Sequence, residues 1–311
     1  MCGIAGLFDT RAKQTFPREL MQRMNDIQLH RGPDESGYHF EPGVALAHRR
    51  LSIIDISSGQ QPLFNEDESV VVVFNGEIYN FQELIPELTA LGHRFHTRSD
   101  TEVIVHAWES WGEACVERFR GMFAFALWDR NRQTFFMARD RMGVKPMYYA
   151  ILDDGTLMFG SELKVLMQHP GLDRSMDPLA VEEYFALGYV AEPRTIFSGA
   201  RKLEPGFSLC IRHGQPVPEP KPYWDVRFTL DNKVSLADAQ AEMVERLRES
   251  VRLRMVAEVP LGAFLSGGVD SSAVVATMAG LSSEPVNTCS IAFDDPAFNE
   301  SAFAQMVADR Y

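Results

Sequence analysis

Apolar side chains recur through the first two-thirds of the chain in short runs of the kind strands use. Residues 70–74 (VVVVF) are a β-branched run that meets Asn75-Gly76, a turn dipeptide, so a strand followed by a turn is expected there. Residues 122–128 (MFAFALW) are apolar at both parities, as a strand covered on both faces would be. The polar stretch DRNRQ separates that run from TFFMA and predicts a hairpin; MYYAIL, Asp153-Asp154-Gly155 and TLMF predict a second. Helical spacing flanks these strands. Leu20, Met21, Met24 and Ile27 recur on one face. Ser99 and Glu102 form a capping-box pattern ahead of Val103, Ile104, Ala107, Trp108 and Trp111, and Gly112 stops that helix. Paired strands with helices at the edges predict stacked sheets covered by helices.

Between residues 204 and 222 the chain carries Pro205, Pro216, Pro218, Pro220 and Pro222. Prolines at alternate positions suit neither a helix nor a central strand, so a first domain is expected over 2–215 and a linker over 216–234. A second domain is expected over 235–311. There an amphipathic helix (235–257) sets Met243, Val244, Leu247, Val251 and Met255 opposite Glu245, Arg248, Glu249 and Arg252. An apolar run (259–265), SGG, a helical stretch (271–279), a second apolar run (286–291) and a helical tail from Glu300 follow. Strand, loop, helix, strand, helix is the order of a parallel α/β sheet. Two parallel strands cannot cover both sheet faces, which leads us to expect a longer chain or a partner that supplies the rest.

Composition narrows the classes. Acidic residues outnumber basic ones, 43 to 30, for a formal charge of −13. That excess disfavours nucleic-acid backbones and anionic membranes as partners. No apolar run approaches the roughly 18 residues of a membrane helix, and the opening MCGIAGLFDTRAKQ lacks a basic leader. The four cysteines, at 2, 115, 210 and 289, show neither disulfide nor zinc spacing. A cytoplasmic mixed α/β protein is expected.

Two motifs carry chemistry. Cys2 directly follows Met1, and a small residue there allows the Met to be removed. The exposed α-amine, with a pKa of about 8, can then take the proton from the thiol of the same residue, so one residue supplies nucleophile and base. A frayed terminus is the plainer alternative. The other motif, Leu265-Ser266-Gly267-Gly268-Val269-Asp270-Ser271-Ser272, lies between an expected strand and helix. Paired glycines, a helix N-terminus and three hydroxyls suit a phosphate; a glycine-serine turn is the alternative. Without a lysine it is not a Walker A loop.

In order, MCGIAG, HRGPDESG, AHRRLSIID, FNGEIYN, SD and RDRMGVKPMYY make the chain resemble the class II glutamine amidotransferases, and within them the glutamine-hydrolysing asparagine synthetase family. The resemblance implies an α+β N-terminal nucleophile hydrolase domain, an αββα sandwich. It implies Cys2 as nucleophile, with Asn75 and the Gly76 N–H as the oxyanion hole. Arg50 would clamp the α-carboxylate of L-glutamine and Asp100 its ammonium, with Ile54 and Glu77 as further contacts. Each has a plainer alternative: Asn75-Gly76 as a hairpin turn, Asp100 as a charge at a helix N-terminus, Arg50 as a surface residue, HRGPDESG as a loop. The second motif resembles the PP-loop of ATP pyrophosphatases. That implies an incomplete α/β nucleotide-binding domain, ATP held by Ser266, Gly267, Gly268, Asp270, Ser271 and Ser272, adenine near Leu265 and Ile291, and Mg²⁺ at Asp270.

The activity so implied is hydrolysis of glutamine and ATP-dependent amidation of a carboxylate, foremost L-aspartate. An amidotransferase with another carboxylate acceptor, or a chain that hydrolyses glutamine without synthetase activity or is inert, stands as the alternative. The second Gly/Asp-rich loop of the family's synthetase half does not occur by Tyr311, so a full glutaminase half and only the opening of a synthetase half are expected. A homodimer stays open.

Overall fold

The first apolar run pairs at once. In the computed structural model, which describes residues 1–11, 13–229 and 233–311, strand β1 (Gly3–Asp9) is buried along its whole length between two antiparallel neighbours. The strands that follow are β2 (Glu35–Glu41), β3 (Val44–Arg50), β4 (Leu63–Phe64), β5 (Val70–Ile78), β6 (Gly121–Asp129) and β7 (Thr134–Arg139). After them come β8 (Tyr148–Ile151), β9 (Thr156–Gly160), β10 (Arg201–Lys202), β11 (Phe207–Arg212) and β12 (Lys221–Pro222). They form two sheets, ordered β10-β8-β9-β1-β3-β2 and β12-β11-β7-β6-β5-β4. Both expected hairpins, β6–β7 and β8–β9, are present. Gly155 at φ +89° makes the tight turn of the second, a conformation that suits glycine.

Helices α1 (Arg18–Asp26), α2 (Phe81–Ala90), α3 (Glu102–Trp111), α4 (Cys115–Arg118), α5 (Leu163–Leu166) and α6 (Pro178–Leu187) belong to the same unit. The two-residue period of the strands sorts their side chains into three apolar layers. Val70, Val72 and Phe74 face α2 and α3, together with Leu84, Leu88, Val103 and Trp108. Val71 and Val73 face the other way, against Ile4, Phe8, Leu46, Phe135 and Phe159 between the sheets. Ala5 and Leu7 face Leu20, Met21 and Met24 of α1. This is the αββα sandwich.

Three expectations are corrected. Asn75-Gly76 is no turn: β5 runs through it to Ile78, with Asn75 opposite Ala124 and Gly76 opposite Phe123. Partners on β6 hold the dipeptide extended where the isolated sequence favours a turn. The capping box at Ser99 does not form either. Thr101 precedes α3, and the Glu102 carboxylate accepts from the N–H groups of His96 and Thr97 instead. Finally, the proline-rich stretch packs on the first unit. Val217 lies against the inter-sheet core, β12 pairs with β11, and Tyr223 donates its hydroxyl to the Arg139 carbonyl at 2.7 Å. Proline is tolerated there because β12 is an edge strand. Residues 230–232, within the expected linker, lie outside the described residues.

The chain divides into two units, Met1–Val226 and Arg227–Tyr311. The second contains α7 (Leu236–Leu253), β13 (Gly262–Phe264), α8 (Val269–Leu281), β14 (Asn287–Cys289) and α9 (Ser301–Arg310). The two strands are parallel, as expected. Its buried core is small: Leu265, Val275 and Ala304, flanked by Ala263, Val307 and Ala308. Met243 and Val244 on the apolar face of α7 are exposed, as are Phe264, Ile291 and Phe298. No helix among the described residues is long and apolar enough to cross a membrane.

Candidate active site

Pleat arithmetic brings the site together. Cys2 continues the parity of Ile4 and Phe8 on β1, His48 and Arg50 that of Val44 and Leu46 on β3, and Asn75 and Glu77 that of Val71 and Val73 on β5. All therefore sit on the strand faces that meet between the sheets, at the end where the apolar layer gives way to a cavity of about 140 Å³. Cys2, Arg50, Ile54, Asn75, Gly76, Glu77 and Asp100 all line it.

The Cys2 thiol is fixed by backbone. The Leu51 N–H donates to Sγ at 3.4 Å, and the Arg31 Nε–H donates to the Cys2 carbonyl at 2.9 Å. Glu162 orients Arg31 from 3.1 Å and also meets His30 at 2.8 Å; with Lys164 these partners pull its carboxyl down to about 2. Burial pushes the Cys2 thiol up, against the Leu51 bond and the neighbouring ammonium and guanidinium charges. Gly32 is required for this packing, since a Cβ there would lie 2.3 Å from the carbonyl carbon of Arg49.

Asn75 is 1% exposed, yet neither Oδ1 nor Nδ2 has a hydrogen-bond partner among the described residues. An orphaned buried amide is uncommon and calls for an explanation. Beside it, β4 pairs only with Val71 and Val72, so the far part of β5 has an open edge. Side chains occupy that edge in alternation: Gln61 Oε1 accepts from the Phe74 N–H at 2.7 Å and Asp100 Oδ2 from the Ile78 N–H at 2.8 Å. The two-residue period turns the Gly76 N–H toward the same edge, between them. A Cβ at Gly76 would lie 2.2 Å from the Met122 carbonyl oxygen, so only glycine fits.

Arg50 is buried, not a surface residue. Its fork is already engaged: Nη1 donates to Glu35 at 3.0 Å and to the Ile56 carbonyl at 3.3 Å, Nη2 to the carbonyls of Ile54 and Asp55 at 3.2 and 2.6 Å. Gly59 leaves room for it; a Cβ there would sit 2.5 Å from Nη2. Asp100 is buried as well. Burial, with some help from Glu77, pushes its carboxyl up to about 7. Lys145, buried in the same cavity, is pulled down by burial. Lys145 and Arg31 stand inside the motifs RDRMGVKPMYY and HRGPDESG, the one signal that marks them in the sequence, and Gln61 stands inside none.

The second motif is split. Leu265, Ser266, Ser271 and Ile291 line a cavity of about 370 Å³ in the second unit, with Phe264, Phe293 and Phe298. Gly267, Gly268, Asp270 and Ser272 do not. Ser266 and Ser271 are turned onto each other, Oγ to Oγ at 3.0 Å. Gly267 has φ +80°, and a Cβ on it would meet Phe303 of α9 at 2.5 Å, so packing alone demands glycine. The Ser272 Oγ is buried without a partner among the described residues. Asp270 stands in the first turn of α8 and in no cluster of three or more potential metal ligands among the described residues.

Residues 1–224 match the family model of the glutamine amidotransferase domain and residues 242–311 that of asparagine synthase. Asparagine synthetase [glutamine-hydrolyzing] 1 of Bacillus subtilis (strain 168) is 38% identical over 317 residues, covering 99% of this chain and 48% of the relative. Asparagine synthetase [glutamine-hydrolyzing] 3 of the same organism is 37% identical over 313 residues, covering 97% and 50%. The chain thus spans about half the length of these curated relatives. The glutamine phosphoribosylpyrophosphate amidotransferase of B. subtilis, solved with ADP and GMP, superposes with a TM-score of 0.51 at 15% identity, over 96% of this chain and 68% of that one. That likeness supports the N-terminal nucleophile hydrolase fold. With one family model spanning the two-sheet unit from the Cys2 strand through the β12 edge, the chain belongs to the glutamine amidotransferase domain family.

Proposed function

We propose that the first unit hydrolyses the side-chain amide of L-glutamine to glutamate and ammonia. The observation that carries this is the buried, unpartnered Asn75 amide in the cavity that also holds Cys2. After loss of Met1, the α-amine of Cys2 takes the thiol proton. The thiolate attacks the amide carbon, and the oxygen that becomes negative is met by Asn75 Nδ2–H and the Gly76 N–H. The proton passes from the amine to the leaving ammonia, and water cleaves the thioester. Asp100 receives the α-ammonium. The α-carboxylate takes the place at Arg50 that Glu35 now holds, with Ile54 and Glu77 as further contacts.

The test is glutamate release from glutamine by protein whose intact mass shows Met1 removed. Cys2→Ala should abolish it without loss of fold; a variant that retains the rate sinks the assignment.

For the whole protein we propose ATP-dependent amidation of a carboxylate, L-aspartate foremost, by the ammonia so made. ATP would supply carboxylate activation. The apolar cavity beside Leu265 and Ile291 suits an adenine, and the orphaned Ser272 Oγ a phosphate oxygen. Asp270 would contribute to a Mg²⁺ site completed by other groups. Free thiols at all four cysteines fit a cytoplasmic place of action. Asparagine formed from aspartate, glutamine and ATP by the whole protein is the expected result. Its absence, with glutamine still hydrolysed, removes the synthetase proposal and leaves the first intact.

A further inference from the structure

Outside the active-site cavity, Glu66, His93, His106 and Glu109 bring four potential ligand atoms within 4.8 Å of one another. Glu66 comes from the turn between β4 and β5, His93 from the segment after α2, and His106 and Glu109 from successive turns of α3. The Nδ1 atoms of both imidazoles face both carboxylates. His93 Nδ1 is 3.5 Å from Glu66 and 3.7 Å from Glu109; His106 Nδ1 is 3.5 Å from Glu66 and 3.4 Å from Glu109. These separations are longer than ordinary hydrogen bonds of about 2.7–3.2 Å. With one donor atom taken from each residue the four lie within 4.8 Å of one another, and a modest contraction would bring them to the roughly 2.0–2.1 Å at which zinc holds nitrogen and oxygen ligands.

His93, Glu109 and Glu66 are held from outside as metal ligands usually are, whereas the buried Nε2 of His106 has no hydrogen-bond partner among the described residues. His93 Nε2 meets Ser110 Oγ at 2.8 Å, and His106 Nε2 faces Glu102 Oε1 at 3.5 Å. Asn65 Nδ2 donates to Glu109 at 2.9 Å and the Arg94 N–H to Glu66 at 2.7 Å. The Phe95 ring stands edge-on to His106 at 4.6 Å and restricts its plane. His106 is fully buried, whereas Glu66 is exposed and offers an entry path. Two neutral imidazoles and two carboxylates balance one divalent cation.

We propose that Glu66, His93, His106 and Glu109 bind a divalent transition metal of the zinc class as a structural clip. It fastens the β4–β5 turn and the segment after α2 to α3, the helix that begins two residues beyond Asp100. None of the four residues lines the Cys2 cavity, so the ion takes no part in glutamine hydrolysis.

The experiment uses the whole chain, stripped with chelator and titrated separately with Zn²⁺ and Co²⁺. One equivalent should bind, Co²⁺ should show the visible bands of a four-coordinate nitrogen–oxygen site, and Zn²⁺ should raise the unfolding temperature. His93→Ala and Glu109→Gln should each weaken binding at least roughly 10–100-fold, with circular dichroism and glutaminase rate unchanged. His93→Ala serves if changes at the buried His106 prevent folding. Absent binding at millimolar ion, undiminished binding in both variants, or a thiolate-to-cobalt charge-transfer band would each overturn the proposal.

Discussion

The imidazole of His48 donates through Nε2 to the main-chain carbonyl of Phe74 at 3.0 Å, tying β3 to β5 one residue before Asn75. His48 is fully buried, and burial holds its pKa at about 3, so it folds neutral. Between that value and the free imidazole's 6.5, the unfolded chain carries a proton the native chain lacks. Stability from this residue is therefore lost as pH falls through that window. Asp100 works in the opposite sense. Its carboxyl is raised from 3.8 to about 7, so the native chain keeps a proton the unfolded chain has released, and stability falls as pH rises between those values. From about pH 5 to 6 the two slopes oppose and nearly cancel. Asp100→Asn removes one of them. Its unfolding free energy should then rise by about 1.4 kcal/mol per pH unit across that window, while the parent chain stays nearly flat. Urea unfolding at several pH values measures this, and a variant as flat as the parent contradicts it.

The same carboxyl sets how glutamine binding depends on pH. An ammonium is held well only by ionised Asp100. Below about 7 the group is neutral before substrate arrives, and binding must expel its proton. kcat/KM for glutamine should fall about tenfold per unit below that pH, because it reports the free enzyme's ionisations. In Asp100→Asn this step should vanish along with most of the affinity, leaving only the fall that protonation of the Cys2 α-amine causes. A steeper limb that survives in the variant belongs to another group.

Much of this arrangement is legible in the sequence, and the exceptions share a cause. Runs such as VVVVF and MFAFALW give their strands away because both strand faces are covered. The residues proposed to touch substrate stand inside recognisable motifs. What the sequence hides is long-range. Asn75-Gly76 reads as a turn until Ala124 and Phe123 pair with it. Glu102 reads as a capping residue until His96 and Thr97 reach it. Glu35 on Arg50 and Glu162 on Arg31 are contacts across 15 and 131 positions that no local pattern encodes. The proline-rich segment likewise looks like a linker only while its partner strand β11 is out of view.

Arg50→Lys should damage both binding and stability. Lysine has no fork, so it loses the two-pronged grip proposed for the α-carboxylate, and KM should rise with kcat less affected. The guanidinium also holds the carbonyls of Ile54, Asp55 and Ile56, which shape the cavity wall. One ammonium cannot serve three carbonyls and Glu35 at once. Hydrogen bonds to a charged group contribute about 1.5–3 kcal/mol each, so a measurable drop in unfolding temperature should accompany the rise in KM. An unchanged unfolding temperature would show that the loop does not depend on Arg50.

Asn75 offers the sharpest separation of activity from stability. Its amide is buried with neither polar atom satisfied, and such a group lowers stability by about 1–3 kcal/mol relative to an apolar one of similar shape. If that cost is borne for the oxyanion, Asn75→Leu should move two measurements in opposite directions. Losing one donor to the developing charge should lower kcat by about 10²–10³-fold, with little effect on KM. The unfolding temperature should rise, because leucine keeps the count and branching of heavy atoms, has the neighbouring cavity to take its extra bulk, and removes the unmet polar atoms. A variant less stable and equally active would mean that the amide has a structural partner in solution, and the oxyanion would then have to be held by the Gly76 N–H alone.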